Sequence, residues 1–132
     1  MNLKILVKEH KEVYKKFNTV LKKSRVAIDK ENKTKTKYLV ATYEDNPIGV
    51  VGYCYLTDYH VRFKIDYVNS YYRGKKVYTK LWNKRMNIIF KDEKVRKITA
   101  YCTEMSLPKY LKEGFIIQSV SKSKITYVRS QV

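Results

Sequence analysis

The order in which two kinds of periodicity follow one another is the strongest constraint that this sequence places on its fold. Apolar side chains recur at helical spacing in residues 9–25 and 75–90, and residues 106–113 predict a short helix. Strand-like stretches occupy residues 3–7, 38–43, 48–56, 61–68, 95–102, 115–120 and 124–130. The predicted order, β-α-β-β-β-α-β-α-β-β, contains no repeat or linker. It therefore predicts one α/β (α+β) domain over residues 1–132 with a mixed sheet.

The fourth predicted strand and the helix after it carry the clearest local patterns. In residues 61–68 the side chains alternate, which predicts Phe63, Ile65 and Tyr67 on one face and Asp66 on the other. The helix over residues 75–90 presents one broad apolar stripe. Its members are Val77, Tyr78, Leu81, Trp82, Met86 and Ile89. This stripe predicts a helix packed against the sheet.

The charge balance is strongly basic, with 29 Lys and Arg against 12 Asp and Glu, a formal net charge of +17. Two interpretations stay open, because the surplus is spread along the chain: a surface that binds nucleic acid or another polyanion, or a lysine-rich composition with solvated side chains. Either would attract anionic partners, including phosphorylated cofactors. No apolar run is long enough to span a membrane, so we expect a mature cytoplasmic protein.

The cysteines and histidines show no metal-binding pattern. Cys54 and Cys102 lie in strand-like stretches without CxxC or Cys/His spacing, which favours buried free thiols and no metal site. We also find no serine–histidine–acid order and no HExxH motif. The sequence therefore carries none of the common hydrolase and zinc-enzyme signatures.

Residues 68–81 (VNSYYRGKKVYTKL) are the segment in which we expect chemistry. They read as the end of a strand, a short basic turn and the start of a helix. The first N–H groups of a helix lack intrahelical partners and lie at the positive end of its dipole, which suits a pyrophosphate group. Lys75 and Lys76 add positive charge there. An ordinary strand-to-helix turn with solvated lysines is the alternative interpretation.

The same segment resembles the acyl-CoA-binding turn of the GCN5-related N-acetyltransferase (GNAT) superfamily, V-x-P-x-x-R/Q-G-x-G-x-G/A, as a divergent version of it. Residues 103–115 (TEMSLPKYLKEGF) are similar to the second family signature, N-x-x-A-x-x-L-Y-x-x-x-G-F. The resemblance covers residues 38–128. It implies a sheet of about seven strands, splayed between the fourth and fifth, with helices on its faces.

The turn departs from the family pattern at two glycines, whose places are taken by Lys76 and Tyr78. Glycine lets the backbone approach a pyrophosphate closely. Lys76 can compensate by its charge, and Tyr78 can lean into the apolar stripe beside Leu81 and Trp82. A cleft that is closed, or filled by the Tyr78 ring, would exclude the pantetheine arm of the cofactor.

The resemblance implies that the protein transfers an acetyl group from acetyl-CoA to an amine by direct attack. It implies that Tyr110 protonates the leaving thiolate as general acid. The general base would be Asp66, Glu104 or His60. The cofactor would be held by the end of the strand and by the turn: Val68, Asn69, Arg73, Gly74, Lys75, Lys76, Val77 and Tyr78. A backbone N–H near Val68 or Asn69 would polarise the thioester.

A second function class stays open beside the enzyme. The replaced glycines and the charge favour a non-catalytic GNAT-like protein that binds nucleic acid or another anionic partner. A hybrid would modify DNA bases, as the phage Mom-type proteins that resemble this superfamily do. The acceptor amine is not defined by the sequence. The tyrosine-containing edge of residues 124–130 could also pair with another chain as a homodimer.

Overall fold

A computed structural model describes residues 2–131. Within them the chain forms three helices, α1 (His10–Lys23), α2 (Val77–Phe90) and α3 (Leu107–Lys112). The seven strands are β1 (Leu3–Lys8), β2 (Lys37–Tyr43), β3 (Asn46–Tyr55), β4 (His60–Val68), β5 (Lys97–Cys102), β6 (Ile116–Val120) and β7 (Thr126–Arg129). A single 3₁₀ turn, Ser70–Tyr72, separates β4 from α2.

The strands form one mixed sheet in the order β1-β2-β3-β4-β5-β7-β6. Every neighbouring pair is antiparallel except β4 and β5, which are parallel. The parallel pairing starts at His60↔Lys97 and ends at Phe63↔Ala100, beyond which the two strands separate. The predicted fold class, a mostly antiparallel seven-stranded sheet splayed between the fourth and fifth strands and flanked by helices, is confirmed.

A β-bulge in β4 changes the faces to which its side chains point. Val50 pairs with Tyr67, whereas Gly52 pairs with Lys64, so that Ile65 and Asp66 together oppose a single residue of β3. The extra residue lets Ile65 adopt a φ of +64°. The prediction that strict alternation continues through β4 is therefore wrong at this point.

The consequence of the bulge is visible in the packing. Phe63 packs in the cluster around Trp82 of α2, whereas Ile65 packs with α1 on the opposite face. Asp66 is returned to the α2 face, where it is buried. A carboxylate that simple alternation would place opposite Phe63 thus shares its side of the sheet.

The helices cover the two faces for reasons that their sequences explain. In α1, Val13, Phe17 and Leu21 recur every four residues and are buried against the sheet. On the other face α2 buries a stripe that includes Leu81 and Trp82. Burying a side chain of this size stabilises the fold by about 1.5–3 kcal/mol. No helix within residues 2–131 has the length and apolar character needed to cross a membrane.

Candidate active site

Two neighbouring cavities share lining residues where β4 and β5 separate. The first, which we call the α2 groove, has a volume of about 380 Å³ and lies between the end of β4 and the start of α2. The second, which we call the α1-side cavity, has a volume of about 390 Å³ and is bounded by β4, β5 and residues 25–36. Asp66 and Ser106 are the residues that line both. We call the place where these two residues border both cavities the junction, and molecules in the two cavities would both lie beside Asp66.

The wall of the α2 groove includes the N-terminus of a fourteen-residue helix. No side chain caps α2, and its Val77 and Thr79 border the groove. The turn before the helix contains two residues with left-handed backbone, Gly74 at φ +77° and Lys76 at φ +65°. The uncapped N–H groups and the positive end of the helix dipole thus lie beside the groove.

The groove brings together most of the residues predicted to hold the cofactor. Those that line it are Val68, Arg73, Gly74, Lys76, Val77 and Tyr78. Asn69 and Lys75 make other contacts. The N–H of Asn69 donates to the carbonyl of Ile48 (2.8 Å), and its side chain caps the 3₁₀ turn. The ammonium of Lys75 lies over the ring of Tyr71, 4.7 Å from its centroid.

The hydrogen bond from the Asn69 N–H to Ile48 decides which backbone amide can serve as the predicted donor to the thioester oxygen. Since hydrogen bonds alternate along an antiparallel strand, an Asn69 N–H directed at β3 directs the Val68 N–H to the opposite side. That side is the opening between β4 and β5. Of the two amides considered from the sequence, only that of Val68 points into the opening.

Tyr78, which stands where the resembled turn pattern has a glycine, lies at the inner end of the groove. Its ring meets that of Trp82 edge-on, at a centroid distance of 6.2 Å, as the sequence predicted. Its hydroxyl donates a hydrogen bond to Oδ2 of Asp66. Burial and the neighbouring carboxylate raise the pKa of Tyr78 well above its ordinary value. The ring lines the groove and leaves its volume open.

A buried ion pair, Asp66 with Arg85, occupies the centre of the site. Nη1 of Arg85 lies 2.7 Å from Oδ1 of Asp66, and Nη2 lies 2.9 Å from Oδ2. Nη1 also donates to the carbonyl of Gly52 (3.0 Å), and the guanidinium lies 3.8 Å from the ring centroid of Phe63. Burial alone would lower the pKa of Arg85, but the carboxylate outweighs it and the pKa is raised. Arg85 therefore keeps its positive charge beside this carboxyl group.

Tyr110, the predicted general acid, is the second phenol on this carboxylate. It is buried, and its hydroxyl donates to Oδ2 of Asp66 at 2.8 Å. Nη2 of Arg85 donates to the same hydroxyl oxygen at 3.4 Å. Burial and then the Asp66 carboxylate raise the pKa of Tyr110 well above its ordinary value. Tyr110 borders the α1-side cavity, whereas Tyr78 borders the groove.

The three candidate bases occupy different environments. Asp66 accepts hydrogen bonds from Arg85, Tyr78 and Tyr110, which leaves it little capacity to take a proton from an amine. Glu104 is exposed and borders a separate pocket of about 240 Å³. His60 bonds to Oγ1 of Thr99 (2.8 Å), and burial lowers its pKa. Neither Glu104 nor His60 reaches the junction of the two cavities.

Sequence reasoning missed Arg85 and the pair of His10 and Tyr38. His10 Nε2 donates to the carbonyl of Lys30 (3.0 Å), and its Nδ1 shares a hydrogen bond with the Tyr38 hydroxyl (2.7 Å). Burial raises the pKa of Tyr38 to about 12. A signal for Arg85 was present, because an arginine in the middle of an apolar helical stripe requires a buried anion.

The sequence matches no family model and no curated protein. The fold does match solved structures over nearly the whole chain. A GNAT-family acetyltransferase from Staphylococcus aureus superposes with a TM-score of 0.76 at 17% identity, covering 98% of each chain. PaiA N-acetyltransferase from Thermoplasma acidophilum, solved with coenzyme A, gives 0.71 at 12% identity over 100% of both chains.

A third structure, N-acetyltransferase PseH from Campylobacter jejuni in complex with acetyl coenzyme A, gives a TM-score of 0.63 at 19% identity. The match covers 99% of this chain and 100% of the PseH chain. The chain therefore has the GNAT fold. The resemblance inferred from residues 38–128 is confirmed at the level of fold.

Proposed function

We propose that this protein is an N-acetyltransferase that uses acetyl-CoA and an amine acceptor. The observation that carries the proposal is the junction of two cavities at Asp66 and Ser106, inside the opening between β4 and β5. One cavity ends on a helix N-terminus suited to a diphosphate, and the other has room for a small acceptor. The shared fold with acetyltransferases supports the same assignment.

The residues of the α2 groove fit the diphosphate of an acyl-CoA. A Cβ added to Gly74 would meet no atom within 4 Å, so the turn offers open space beside the backbone. The uncapped start of α2 supplies N–H donors, and Arg73 and Lys76 supply charge at the groove. Acetyl-CoA, when bound, supplies the activated acetyl group. The chain's own contribution is to hold it by amides and cations.

The groups around the junction would assist attack by the amine. The Val68 N–H, directed into the opening, is placed to hydrogen-bond a carbonyl oxygen that gains negative charge. Tyr110 can give its proton to the departing thiolate, and the phenolate that is left can take up the proton that the attacking nitrogen loses as it becomes an amide. The resulting phenolate would have Nη2 of Arg85 beside it, at the 3.4 Å separation now seen. Asp66 and Arg85 act as positioning residues for both phenols.

The first experiment measures binding of acetyl-CoA by calorimetry. Arg73→Glu should weaken binding at least about tenfold, since it removes a cation and adds an anion beside the groove. Arg96→Glu is the matched control, because Arg96 is exposed and outside both cavities. Failure of the unmodified protein to bind acetyl-CoA would refute the proposed function.

The second experiment separates the two phenols. Tyr110→Phe should lower kcat about 10²-fold or more while acetyl-CoA binding is retained, because only the proton is removed. Tyr78→Phe is the matched variant, since both hydroxyls donate to the same oxygen of Asp66. A loss of kcat in Tyr78→Phe with normal turnover in Tyr110→Phe would reject Tyr110 as the acid and assign that part to Tyr78.

A second candidate function, binding of nucleic acid, rests on uncompensated charge. Within residues 2–131 the ion pairs involve only Lys8, Arg85 and Lys109, against a chain total of 29 basic residues. Exposed Lys76, Lys80 and Lys84 also line one side of α2. Fluorescence anisotropy with a labelled oligonucleotide tests it. A steep decrease of the logarithm of the binding constant with the logarithm of the salt concentration would support this function.

A further inference from the structure

Arg62 is a cation in the α1-side cavity for which residues 2–131 supply no anionic partner. It lies on β4 beside the opening, is half-buried, and lines the cavity together with Tyr101. Its guanidinium carbon is 4.8 Å from the ring centroid of Tyr101 and 5.7 Å from that of Tyr127. Nε donates to Oγ1 of Thr99 (3.3 Å), and Nη2 donates to the Tyr127 hydroxyl (3.4 Å).

These contacts hold the guanidinium in place without neutralising it. Both hydrogen-bond acceptors are neutral hydroxyls at long distances, and within residues 2–131 no carboxylate lies within 4 Å of its nitrogens. An arginine has five N–H donors, of which two are used here. Among residues 2–131, nothing accepts a hydrogen bond from the Nη1 group or from the second Nη2 hydrogen. A planar guanidinium held on aromatic rings with a free edge is the arrangement that binds a carboxylate in two-point fashion.

We propose that the acceptor amine also carries a carboxylate, and that Arg62 binds this carboxylate while the amine reaches the junction beside Asp66. This inference rests on the proposed function, because it concerns the acceptor of the same reaction. Lys64, which lines the cavity, adds a second positive charge to its floor. Asp29 and Glu31 also line this cavity, so carboxylates that attract the cationic form of such an acceptor are present as well.

The spacing along β4 sets the length of the acceptor. Arg62 pairs with Cys54 of β3, and the bulge sets Ile65 and Asp66 together opposite Val51, so the two positions are about three strand residues apart, roughly 10 Å at about 3.3 Å per residue. The Arg62 side chain turns across the sheet towards β5 and β7 rather than along β4. A single acceptor can touch both places only if several bonds separate its amine from its carboxylate. This favours an ω-amino acid, or the side-chain amine of lysine, over the amine of glycine.

A series of ω-amino acids tests the inference, each paired with the alkylamine of equal length. We expect 6-aminohexanoate to be acetylated with a kcat/KM at least about tenfold higher than that of hexylamine, because only the amino acid can form a charge-assisted pair with Arg62. Glycine should show no such advantage over methylamine. Arg62→Gln should bring the 6-aminohexanoate to hexylamine ratio to about 1. Arg129→Gln, on a β7 residue that pairs with Thr99 and lies outside the cavity, should preserve the ratio.

Separate readouts keep the two proposals distinguishable. Calorimetry should show 6-aminohexanoate binding to the unmodified protein more tightly than hexylamine, with the difference lost in Arg62→Gln. If acetyl-CoA binds and alkylamines or polyamines are acetylated as well as amino acids, the proposed function stands and the Arg62 inference is overturned. If Arg62→Gln weakens oligonucleotide binding but leaves the amino-acid preference intact, Arg62 contacts phosphate and the inference is also overturned. Absence of acetyl-CoA binding rejects the proposed function itself.

Discussion

Replacing Asp66 by asparagine should destabilise the protein more than any comparable change at its surface. The variant keeps the shape of the side chain but removes the charge that faces Arg85, whose side chain is fully buried. An uncompensated buried charge typically costs about 3–5 kcal/mol. Because a domain of this size is stable by only about 5–15 kcal/mol, the loss would be a large fraction of the whole.

The assay is urea unfolding followed through Trp82, the single tryptophan. Trp82 is buried and lies 5.2 Å from the Arg85 guanidinium, so its emission reports on this part of the core. We expect a lower midpoint with an unchanged slope, and a melting temperature lower by about 10–20 °C. Asp58→Asn is the control: Asp58 is exposed, and its change should stay within about 0.5 kcal/mol.

A double-mutant cycle isolates the interaction itself. Arg85→Met alone leaves the Asp66 carboxylate buried with only two phenolic donors, and it should also cost about 3–5 kcal/mol. With both changes no charge is left buried, so the double variant should recover at least about 2 kcal/mol relative to the sum of the single effects. Additive effects, or an Asp66→Asn variant as stable as Asp58→Asn, would refute the coupling.

The remaining predictions concern the tyrosines and the turn before α2. Tyr78 and Tyr110 have a raised pKa in the folded state, so their contribution to stability is present below pH 10 and is lost as pH rises above it. Phenolate absorbance should therefore show these two hydroxyls ionising only together with alkaline unfolding, and their titration before the Trp82 emission changes would contradict this. Lys76→Gly should leave stability unchanged or raise it by up to about 1 kcal/mol, because the backbone of Lys76 is in the left-handed conformation, which glycine adopts without strain. Lys75→Gly should lower stability instead, and equal unfolding midpoints would argue against strain at Lys76.

The order and type of the elements could be predicted because each long element has a consistent period. Every predicted strand and helix is present, with its ends within two residues of the prediction. Val13, Phe17 and Leu21 show why. Their spacing places all three side chains on one face of a helix, and that apolar face is the one that α1 buries. Local propensity and tertiary packing agree in such segments.

The faces of β4 could not be predicted in full, because the bulge leaves no mark in the alternation of its side chains. Residues 61–68 alternate through Ile65 as a regular strand would. The bulge follows instead from pairing with β3, where Gly52 allows close approach: a Cβ there would lie 3.1 Å from the Lys64 carbonyl oxygen. A register shift is a property of two strands, and a pattern read along one of them does not contain it.

The sequence predicted the turn and Tyr110 of the candidate site but not the buried cation at its centre, because that cation depends on how two strands pair. The turn and Tyr110 have local signatures, and the structure places both beside the opening between β4 and β5. Arg85, inside an apolar stripe, indicates only that a buried anion is needed, and which carboxylate supplies it depends on the bulge that turns Asp66 towards α2. Once Asp66 is turned inward, burial requires a cation for it, and that cation must lie on the facing helix stripe.

Tyr78 extends this reasoning to the altered turn. A glycine at its position would bring the backbone closer to a diphosphate, but it would leave Asp66 with one phenolic donor instead of two. The tyrosine therefore adds a hydrogen bond to the buried ion pair at the place where the family pattern favours close approach. Because the same side chain lines the groove and contacts Asp66, a ligand that displaces it would also perturb the carboxylate that holds Tyr110. Occupancy of the groove and the geometry of the proposed acid are coupled through one oxygen atom of Asp66.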